Sequence, residues 1–449
     1  MDGMQKWPEE VIQAIKQLHQ ENKELRKENK ELKEKITKLE KRLRVYENPH
    51  TPSSQQRFKG GFKGNIPRGK RGAPNGHRGA TRKTSEPDEL VSVTMDTCPF
   101  CGGNPGASQE VETALIEEIP PPRKIKVIQY EFHSYECPNC GLRFTTQHKD
   151  YPSEGVFGVN LLTYITMLRF HLRGVLRRIQ DFLQHLCGFE ISVKGIHDVL
   201  LRVGNACKNE YVRLVQCVRN ARWRHIDETS SSVNGKNWWL WSFRTDSDES
   251  LVVIRDSRGR KVLEEILGEN CLGGNVTDGW KAYWNLNDIQ RCWAHLIREV
   301  DSNKHVSEEG KKLCLEIHRR FRLLKEFLGK DPPMDERRGM KEKWDRELVD
   351  LVDRYEDALH TKHLVTYLKN GLGCWHTCLL YPGMEPTNNL GEQAIREHVI
   401  IRKIIGAFRS VEGSENYQYI ASLFATWRLQ GKNIFEELEN LLRKELCVS

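Results

Sequence analysis

The chain has 449 residues, of which 38% are hydrophobic and 29% are charged, and it carries a formal net charge of +8. This length predicts about three domains. The sequence has neither an apolar signal segment at its start nor a run of about 18 apolar residues that could cross a bilayer. We therefore expect a soluble cytoplasmic protein, whose 13 cysteines are thiols or metal ligands rather than disulfides.

A heptad repeat fills the first predicted domain, residues 1–47. One core position of the repeat holds Val11, Leu18, Leu25, Leu32, Leu39 and Tyr46, and the other holds Ile15, Asn22, Asn29, Ile36 and Leu43. Leucine at d with isoleucine or asparagine at a is typical of a parallel two-stranded coiled coil, because a buried asparagine pair fixes the register. This leucine zipper predicts a homodimer or a larger assembly. The alternative is a single solvated charged helix.

A basic linker is predicted at residues 48–92. From Pro49 to Lys83 the chain is rich in Gly and Pro and has no acidic residue. Such a composition does not fold alone, and its positive charge can follow the phosphates of DNA without reading sequence. A merely flexible linker is the alternative. The DNA-binding candidates in this segment are Lys59, Lys63, Lys70, Arg71 and Arg78.

Two CxxC turns define the next predicted domain, residues 93–150. Their cysteines are Cys98, Cys101, Cys137 and Cys140. Two such turns deliver four thiolates to one tetrahedral Zn²⁺, so we predict a zinc ribbon-like module with strands in the stretch 125–135. The zinc would be structural, because protein ligands fill all four positions. Its use is expected to be DNA docking, although many ribbons are only scaffolds.

Residues 151–221 are predicted to be a helical domain. Helices are expected at Asn160–Leu172 and Leu176–Leu186, followed by a third helix that Ser192 caps and that ends near Val203. A helix, a glycine turn and a capped helix are compatible with a helix-turn-helix that binds DNA, and a plain helical packing unit is equally compatible. The residues predicted on the exposed side are Lys194, His197 and Arg202.

The hydrophobic period changes to that of strands after Arg222. We predict strands at Trp223–Val233 and Trp238–Arg244, joined by a type I′ turn at Asn234-Gly235, and a third at Leu251–Ile254. A helix near 260–268 precedes short strands at 274–277 and 288–292, and another helix begins at Trp293. This order matches a ribonuclease-H-like α/β core, with residues 222–299 as its first part. In that order the first and fourth strands are neighbours.

Neighbouring first and fourth strands would place Asp227 beside Asp278. Adjacent carboxylates repel unless cations neutralise them, and oxygen ligands favour two Mg²⁺ or Mn²⁺ ions. Glu392 would join them from a helix that Asn388 or Asn389 caps, with Arg396 one turn further on. A helical insertion at 300–383 would separate this C-terminal part, 384–449, from the first part. Because the chain has 62 acidic residues, the alternative is that Asp227, Asp278 and Glu392 are ordinary surface carboxylates.

Four motifs resemble those of DDE transposases of the insertion-sequence-sixty-six family. They are Arg224–Thr229 with Asn234-Gly235-Lys236, Thr277–Trp280, Cys292–His295, and Pro386–Asn389 with Glu392. The resemblance continues through Ile401-Arg402-Lys403 and extends to the zipper, the linker and the four-cysteine module. The chain departs from the family at Ser230-Ser231-Ser232, where bulkier residues are common. The overall expectation is a multidomain α+β protein.

The resemblance implies a transposase with Asp227, Asp278 and Glu392 as catalytic metal ligands. Its partners would be double-stranded DNA, both the terminal repeats of the element and the target, with accessory proteins of the same element also possible. It would cleave the 3′ ends of the element, join them to target DNA, and associate with the nucleoid when bound. A non-catalytic DNA-binding regulator and a metal-dependent nuclease on the same scaffold are the alternatives.

Several further residues have open roles. His295 could orient water or contact DNA, or be an ordinary helix histidine, and Arg402 and Lys403 are DNA-binding candidates. A second metal site with soft ligands could be formed by Cys292, His295, Cys374, His376 and Cys378. Scattered buried thiols that bind no metal are the favoured alternative.

Overall fold

The structure is a computed structural model. It describes residues 13, 17, 20–32, 34–36, 86–108, 111–116, 124–269, 271–303, 307–358 and 360–447. The five basic candidates of the linker and most of the heptad lie outside these ranges. Within them, no helix is both long enough and apolar enough to cross a membrane.

The described part of the heptad is helical, and helix α1 covers residues 20–32. Its core positions face solvent in the single chain: Leu25 is 56% exposed and Leu32 is 51% exposed. Asn29 also lies on this stripe, and its amide Nδ2 donates to the Leu25 carbonyl at 3.1 Å. The helix therefore carries a largely apolar stripe that none of the other described residues covers.

The cysteine module contains a short hairpin. Strand β1 (Ser134–Glu136) pairs antiparallel with β2 (Arg143–Thr145), with Tyr135 opposite Phe144. The predicted strand at 125–135 is wrong for most of its length, since regular pairing begins only at Ser134. All six strand residues are exposed, and none of the residues described at 124–151 is buried, so these residues supply no apolar core to hold a longer strand in place.

Three helices follow: α2 (Val159–Phe170), α3 (Leu176–Cys187) and α4 (Val193–Asn220). Ser192 caps α4 as predicted, because its Oγ accepts from the Gly195 N–H at 3.0 Å. The predicted end near Val203 is wrong. The buried period continues along α4 through Cys207, Tyr211, Leu214 and Val218, and so the helix runs 28 residues.

The central sheet has the strand order β5-β4-β3-β6-β7. Its strands are β3 (Trp223–Val233), β4 (Lys236–Thr245), β5 (Ser250–Arg255), β6 (Gly274–Thr277) and β7 (Ile289–Arg291), and helix α5 (Arg260–Leu267) follows β5. Strands β3, β4 and β5 are antiparallel, whereas β6 and β7 run parallel to β3. Asn234 and Gly235 have φ of 49° and 72°, the left-handed values that a type I′ turn requires. The predicted pairing of the first and fourth strands is confirmed.

Four helices follow β7: α6 (Trp293–Asn303), α7 (Glu308–Leu328), α8 (Met334–Arg354) and α9 (Lys362–Lys369). The assignment of 300–383 as an insertion stays a prediction. Asp331-Pro332-Pro333 separates α7 from α8 because neither proline can donate to a continuing helix. The chain then returns to the sheet through α10 (Asn389–Ile405), α11 (Val411–Leu429) and α12 (Ile434–Leu446).

Two hydrophobic clusters hold the described fold together. The first lies between β3–β5, α2–α5 and α10–α12, with the fully buried Trp241 and Phe243 of β4 among its largest side chains. The second lies among α6–α9 and contains Trp293 and Trp375. It reaches the sheet through Val276 of β6. Trp223 at the start of β3 belongs to the second cluster and Ile226 to the first, so the first half of β3 and the adjoining β6 lie where the two clusters meet.

Candidate active site

Asp227 and Asp278 lie on neighbouring parallel strands. His225 of β3 is opposite Val276 of β6, and each aspartate is two residues further along its own strand direction. Because side chains alternate along a strand, equal steps from a register pair place the two carboxylates on the same side. Asp227 lies inside β3, whereas Asp278 immediately follows the last residue of β6. Both are half-buried.

The electrostatics of Asp227 connect it with three other acids. Burial raises the pKa of Asp227 well above its usual value, and the negative charges of Glu228, Asp278 and Glu392 raise it further. The N–H of Glu228 donates to Asp227 Oδ1 at 3.0 Å and opposes this shift. The three predicted carboxylates therefore share one neighbourhood. Among the described residues, however, their oxygens are not all within 4.8 Å of one another.

Glu392 is held near the strands by Asn388, which precedes α10. The Asn388 side chain makes no capping bond to the helix, contrary to the predicted role. Instead its Nδ2 donates to the Ile226 carbonyl at 2.9 Å, and its Oδ1 lies 3.0 Å from His225 Nδ1. Its backbone N–H donates to Cys292 Sγ at 3.1 Å. The start of α10 is thus joined to β3 at His225 and Ile226.

Two neighbours make this connection possible. A Cβ on Gly391 would lie 2.6 Å from Asn388 Oδ1, so only glycine leaves room for the amide. Burial lowers the pKa of His225 to about 4, and the imidazole is therefore neutral at pH 7. Since the Asn388 NH₂ group is used by the Ile226 carbonyl, Oδ1 is the acceptor and His225 Nδ1 carries the proton.

A basic side chain reaches the same carboxylates from α6. Arg298 Nη2 lies 3.1 Å from Glu392 Oε1, and both side chains are partly exposed, at 47% and 35%. His295 lies one turn earlier on α6 and is 8% exposed. The end of the site that faces solvent therefore contains a positive charge beside the cluster of acids.

Sequence reasoning missed the setting of Glu228. This carboxylate is 4% exposed and accepts from Arg258 Nε at 2.8 Å, from Arg258 Nη2 at 2.6 Å, and from the Tyr283 hydroxyl. The Arg258 guanidinium lies over the rings of Trp239 and Trp280, 4.7 and 4.1 Å from their centroids. Burial, followed by the charge of Asp278, raises the pKa of Glu228 to about 7. The sequence gives one indication of this buried setting, which is that Glu228 directly follows Asp227 inside a predicted strand.

The sequence model described as the Transposase IS66 family matches residues 154–416. This range is more than half of the chain and contains all three carboxylates. The chain belongs to the IS66 transposase family. Among curated proteins, none matches the sequence. Membership implies DNA as a partner, a nucleic-acid-processing activity and the use of divalent metal ions.

The basic candidates within this IS66-family chain differ in their availability to DNA. Arg396 and Lys403 of α10 are exposed, as is Lys194 of α4, which pairs with Asp198 at 2.8 Å. Arg402 is used inside the protein, because it donates to Thr229 Oγ1 at 3.2 Å and to Ser230 Oγ at 3.0 Å.

Arg202 departs from its predicted exposed position on α4. It is only half-buried as a residue, but its Nε and Nη2 atoms are fully buried and have no hydrogen-bond partner among the described residues. Its Nη1 lies 2.7 Å from where a Cβ on Gly155 would be. The prediction of an exposed Arg202 is therefore wrong, since the segment that precedes α2 packs over it. His197, by contrast, is partly exposed at 44%.

The two CxxC turns of the transposase have matching backbone geometry. The Gly102 N–H donates to the Cys98 carbonyl at 2.9 Å, and the Gly141 N–H donates to the Cys137 carbonyl at 2.8 Å. Backbone N–H groups lower the pKa of the thiols of both Cys98 and Cys137, which favours the thiolate that binds zinc. The donor set thus suits Zn²⁺. In the described ranges, the four sulfur atoms do not come together within 4.8 Å.

The five residues considered for a second soft-metal site do not come together as a set in the described structure. In the part of the chain that is described, no three of Cys292, His295, Cys374, His376 and Cys378 meet as potential ligands. His376 instead pairs with Asp345 through Nδ1 at 2.7 Å, and Cys292 accepts from Asn388.

Proposed function

We propose that this protein is a DDE transposase that cleaves the 3′ ends of an insertion sequence and joins them to target DNA. Asp227, Asp278 and Glu392 would be its catalytic residues. The observation that carries the proposal is the register of β3 and β6, which aligns the two aspartates, together with the Asn388 bonds that bring α10 to β3.

The carboxylates of this site suit hard cations. Their oxygens are the ligands that Mg²⁺ or Mn²⁺ prefers. Burial, followed by the negative charges of the neighbouring acids, raises the pKa of Asp227, and a bound cation would offset both effects. When bound, two ions supply an activated nucleophile and stabilise charge on the departing oxygen. The residues of the chain do the positioning: β3 and β6 fix the aspartates, and the neutral His225 holds Asn388 so that α10 presents Glu392.

Arg298 and Arg396 are suited to the phosphates of DNA. Both lie beside Glu392, one on α6 through an ion pair and the other one turn along α10. Guanidinium groups bind phosphate oxygens in a bidentate manner, so these residues would orient the strand that is cut. His295 and Asn389 would be supporting residues.

The remaining domains would hold DNA and assemble the enzyme. We propose a zipper at 1–47, a basic linker at 48–92, a zinc ribbon-like module at 93–150 and a helical DNA-binding domain at 151–221. The catalytic core would be ribonuclease-H-like, formed by 222–299 and 384–449 around the insertion at 300–383. The strand order β5-β4-β3-β6-β7, with three antiparallel strands followed by parallel ones, supports such a core.

A strand-transfer assay with the terminal repeats of the element tests this function. Wild-type protein with Mg²⁺ or Mn²⁺ should yield joined DNA, and Asp227→Asn should bind the repeats normally but lose joining by at least about a thousandfold, because a metal ligand is missing. Asp353→Asn removes an exposed carboxylate of α8 and should retain full joining.

The other functions give different products in the same assay. Unchanged joining by Asp227→Asn would refute the assignment of the carboxylates. Cleaved ends without joined product from the wild-type protein would show a nuclease, and binding without cleavage would show a regulator.

A further inference from the structure

Three potential metal ligands meet between α6 and α7, and none of them belongs to either site described above. His318 Nε2 lies 3.1 Å from Asp301 Oδ1, and Cys314 Sγ lies 3.7 Å from the same oxygen. The three ligand atoms are all within 4.8 Å of one another. No other three His, Cys, Asp or Glu residues of the described ranges meet this condition.

The helices explain why these residues converge. Cys314 and His318 are four residues apart in α7, so their side chains lie on one face, one turn apart. Asp301 lies in the last turn of α6, and the connection from α6 to α7 is short enough to bring that turn against the start of α7. Cys314 is 5% exposed, whereas the side chains of Asp301 and His318 are each 42% exposed. The cluster is thus closed on one side and open to solvent on the other.

The spacing of the atoms suits a tetrahedral ion. With Zn–S near 2.3 Å and Zn–N or Zn–O near 2.0–2.1 Å, tetrahedral ligand atoms are roughly 3.3–3.7 Å apart. The two separations from Asp301 Oδ1, 3.1 and 3.7 Å, are close to this range, and the Cys314 and His318 ligand atoms lie within 4.8 Å of each other. A thiolate with an imidazole selects zinc over magnesium, because both are softer ligands than oxygen.

We propose that Asp301, Cys314 and His318 bind a Zn²⁺ ion, with solvent as the fourth ligand. Binding requires the thiolate, so the Cys314 thiol releases its proton to solvent as the Zn–S bond forms. The ion fastens the end of α6 to α7. Since α6 also carries Arg298, which pairs with Glu392, the ion fixes the helix that lies against the candidate active site.

Binding of Co²⁺ to the full-length protein tests this site independently of DNA cleavage. Metal-free protein is titrated with Co²⁺, and bound metal per chain and thiolate-to-cobalt absorption are measured. Cys314→Ser/His318→Gln should bind one Co²⁺ fewer per chain than the wild type, while the CxxC turns contribute equally to both. Cys217→Ser/His185→Gln removes an exposed thiol and an exposed imidazole elsewhere and should bind as much Co²⁺ as the wild type.

Equal Co²⁺ uptake by the wild type and Cys314→Ser/His318→Gln would overturn the proposal. A matching loss in the control variant would also overturn it, because it would indicate nonspecific binding to thiols and imidazoles. If circular dichroism shows that the double variant is unfolded, His318→Gln alone is measured, since its side chain is partly exposed. That variant should lower the Co²⁺ affinity of the site by about tenfold or more, and an unchanged affinity would refute the site.

Discussion

The Asn388 side chain joins the start of α10 to β3 and so sets the position of Glu392 relative to Asp227. The residue is 1% exposed, and both of its partners are buried. Buried polar groups are costly to leave without a partner, at about 1–3 kcal/mol each. The amide therefore has two effects, one on stability and one on the geometry of the candidate site.

Replacement of Asn388 by alanine tests both effects, and replacement of an exposed asparagine elsewhere is the control. Asn388→Ala leaves His225 Nδ1 and the Ile226 carbonyl without partners, so the free energy of unfolding should fall by about 2–4 kcal/mol. The Mn²⁺ concentration for half-maximal cleavage should rise about tenfold or more, because Glu392 is no longer held in place. Asn370→Ala, at an exposed position after α9, should change neither quantity by a measurable amount. Denaturant titrations and metal titrations of cleavage check both variants.

His225 predicts a loss of stability in acid. Its folded pKa of about 4 is below the ordinary value of 6.5, so folding favours the neutral ring. This contribution is fully present above pH 6.5 and is lost as the pH falls from 6.5 towards 4, by about 3 kcal/mol in total. His225→Gln, whose amide can still donate to Asn388, should lose less stability over this range. Denaturant titrations of both proteins at pH 7 and pH 4.5 give the difference, and parallel pH curves would contradict the prediction.

At the scale of elements, α11 covers the edge of the sheet. The backbone N–H groups of Ser250, Val252 and Ile254 in β5 donate to Thr426 Oγ1, Ser422 Oγ and Gln418 Oε1, at 3.0, 2.8 and 3.0 Å. The three acceptors recur every four residues and thus lie on one face of the helix. An edge that is satisfied in this way cannot pair with a strand from another chain.

Ser422→Ala tests the contribution of this edge. The change leaves the Val252 N–H buried without a partner, so the free energy of unfolding should fall by about 1–3 kcal/mol. The variant should also aggregate more readily on partial unfolding, because the edge is less well protected. Ser247→Ala removes an exposed hydroxyl in the β4–β5 turn and should leave stability within about 0.5 kcal/mol of the wild type. Urea denaturation and light scattering measure both effects.

At the scale of the whole molecule, the exposed stripe of α1 predicts self-association. Leu25→Glu/Leu32→Glu places charges in the proposed coiled-coil seam and should convert a dimer or larger species to a monomer. Lys27→Glu changes a residue on the outer face of the heptad and should retain the assembly. Sedimentation of the full-length protein measures the mass of each variant. A wild-type monomer, or a dimer that survives both substitutions, would contradict the zipper.

The sequence by itself determined the order of strands and helices, because hydrophobic period, turn residues and prolines act locally. It placed β3–β7 to within a few residues, and strand order alone predicted that Asp227 and Asp278 would be neighbours. It also identified the family, through short motifs at those positions. The predictions for the strand at 125–135 and for the end of α4 were wrong. In both places the extent of the element depends on which of its side chains are buried by other segments, and the local pattern of apolar residues does not show this.

Tertiary structure decided what each polar side chain does. Asn388 and Arg402 were predicted as a cap and a DNA contact, but both bind within the protein, because segments more than 150 residues away in sequence supply their partners. Glu228 meets Arg258 and Tyr283, and Asp301 meets Cys314 and His318, only once helices and strands are packed. Local sequence fixes which element a residue joins, whereas long-range packing fixes which groups it meets and whether it keeps its charge.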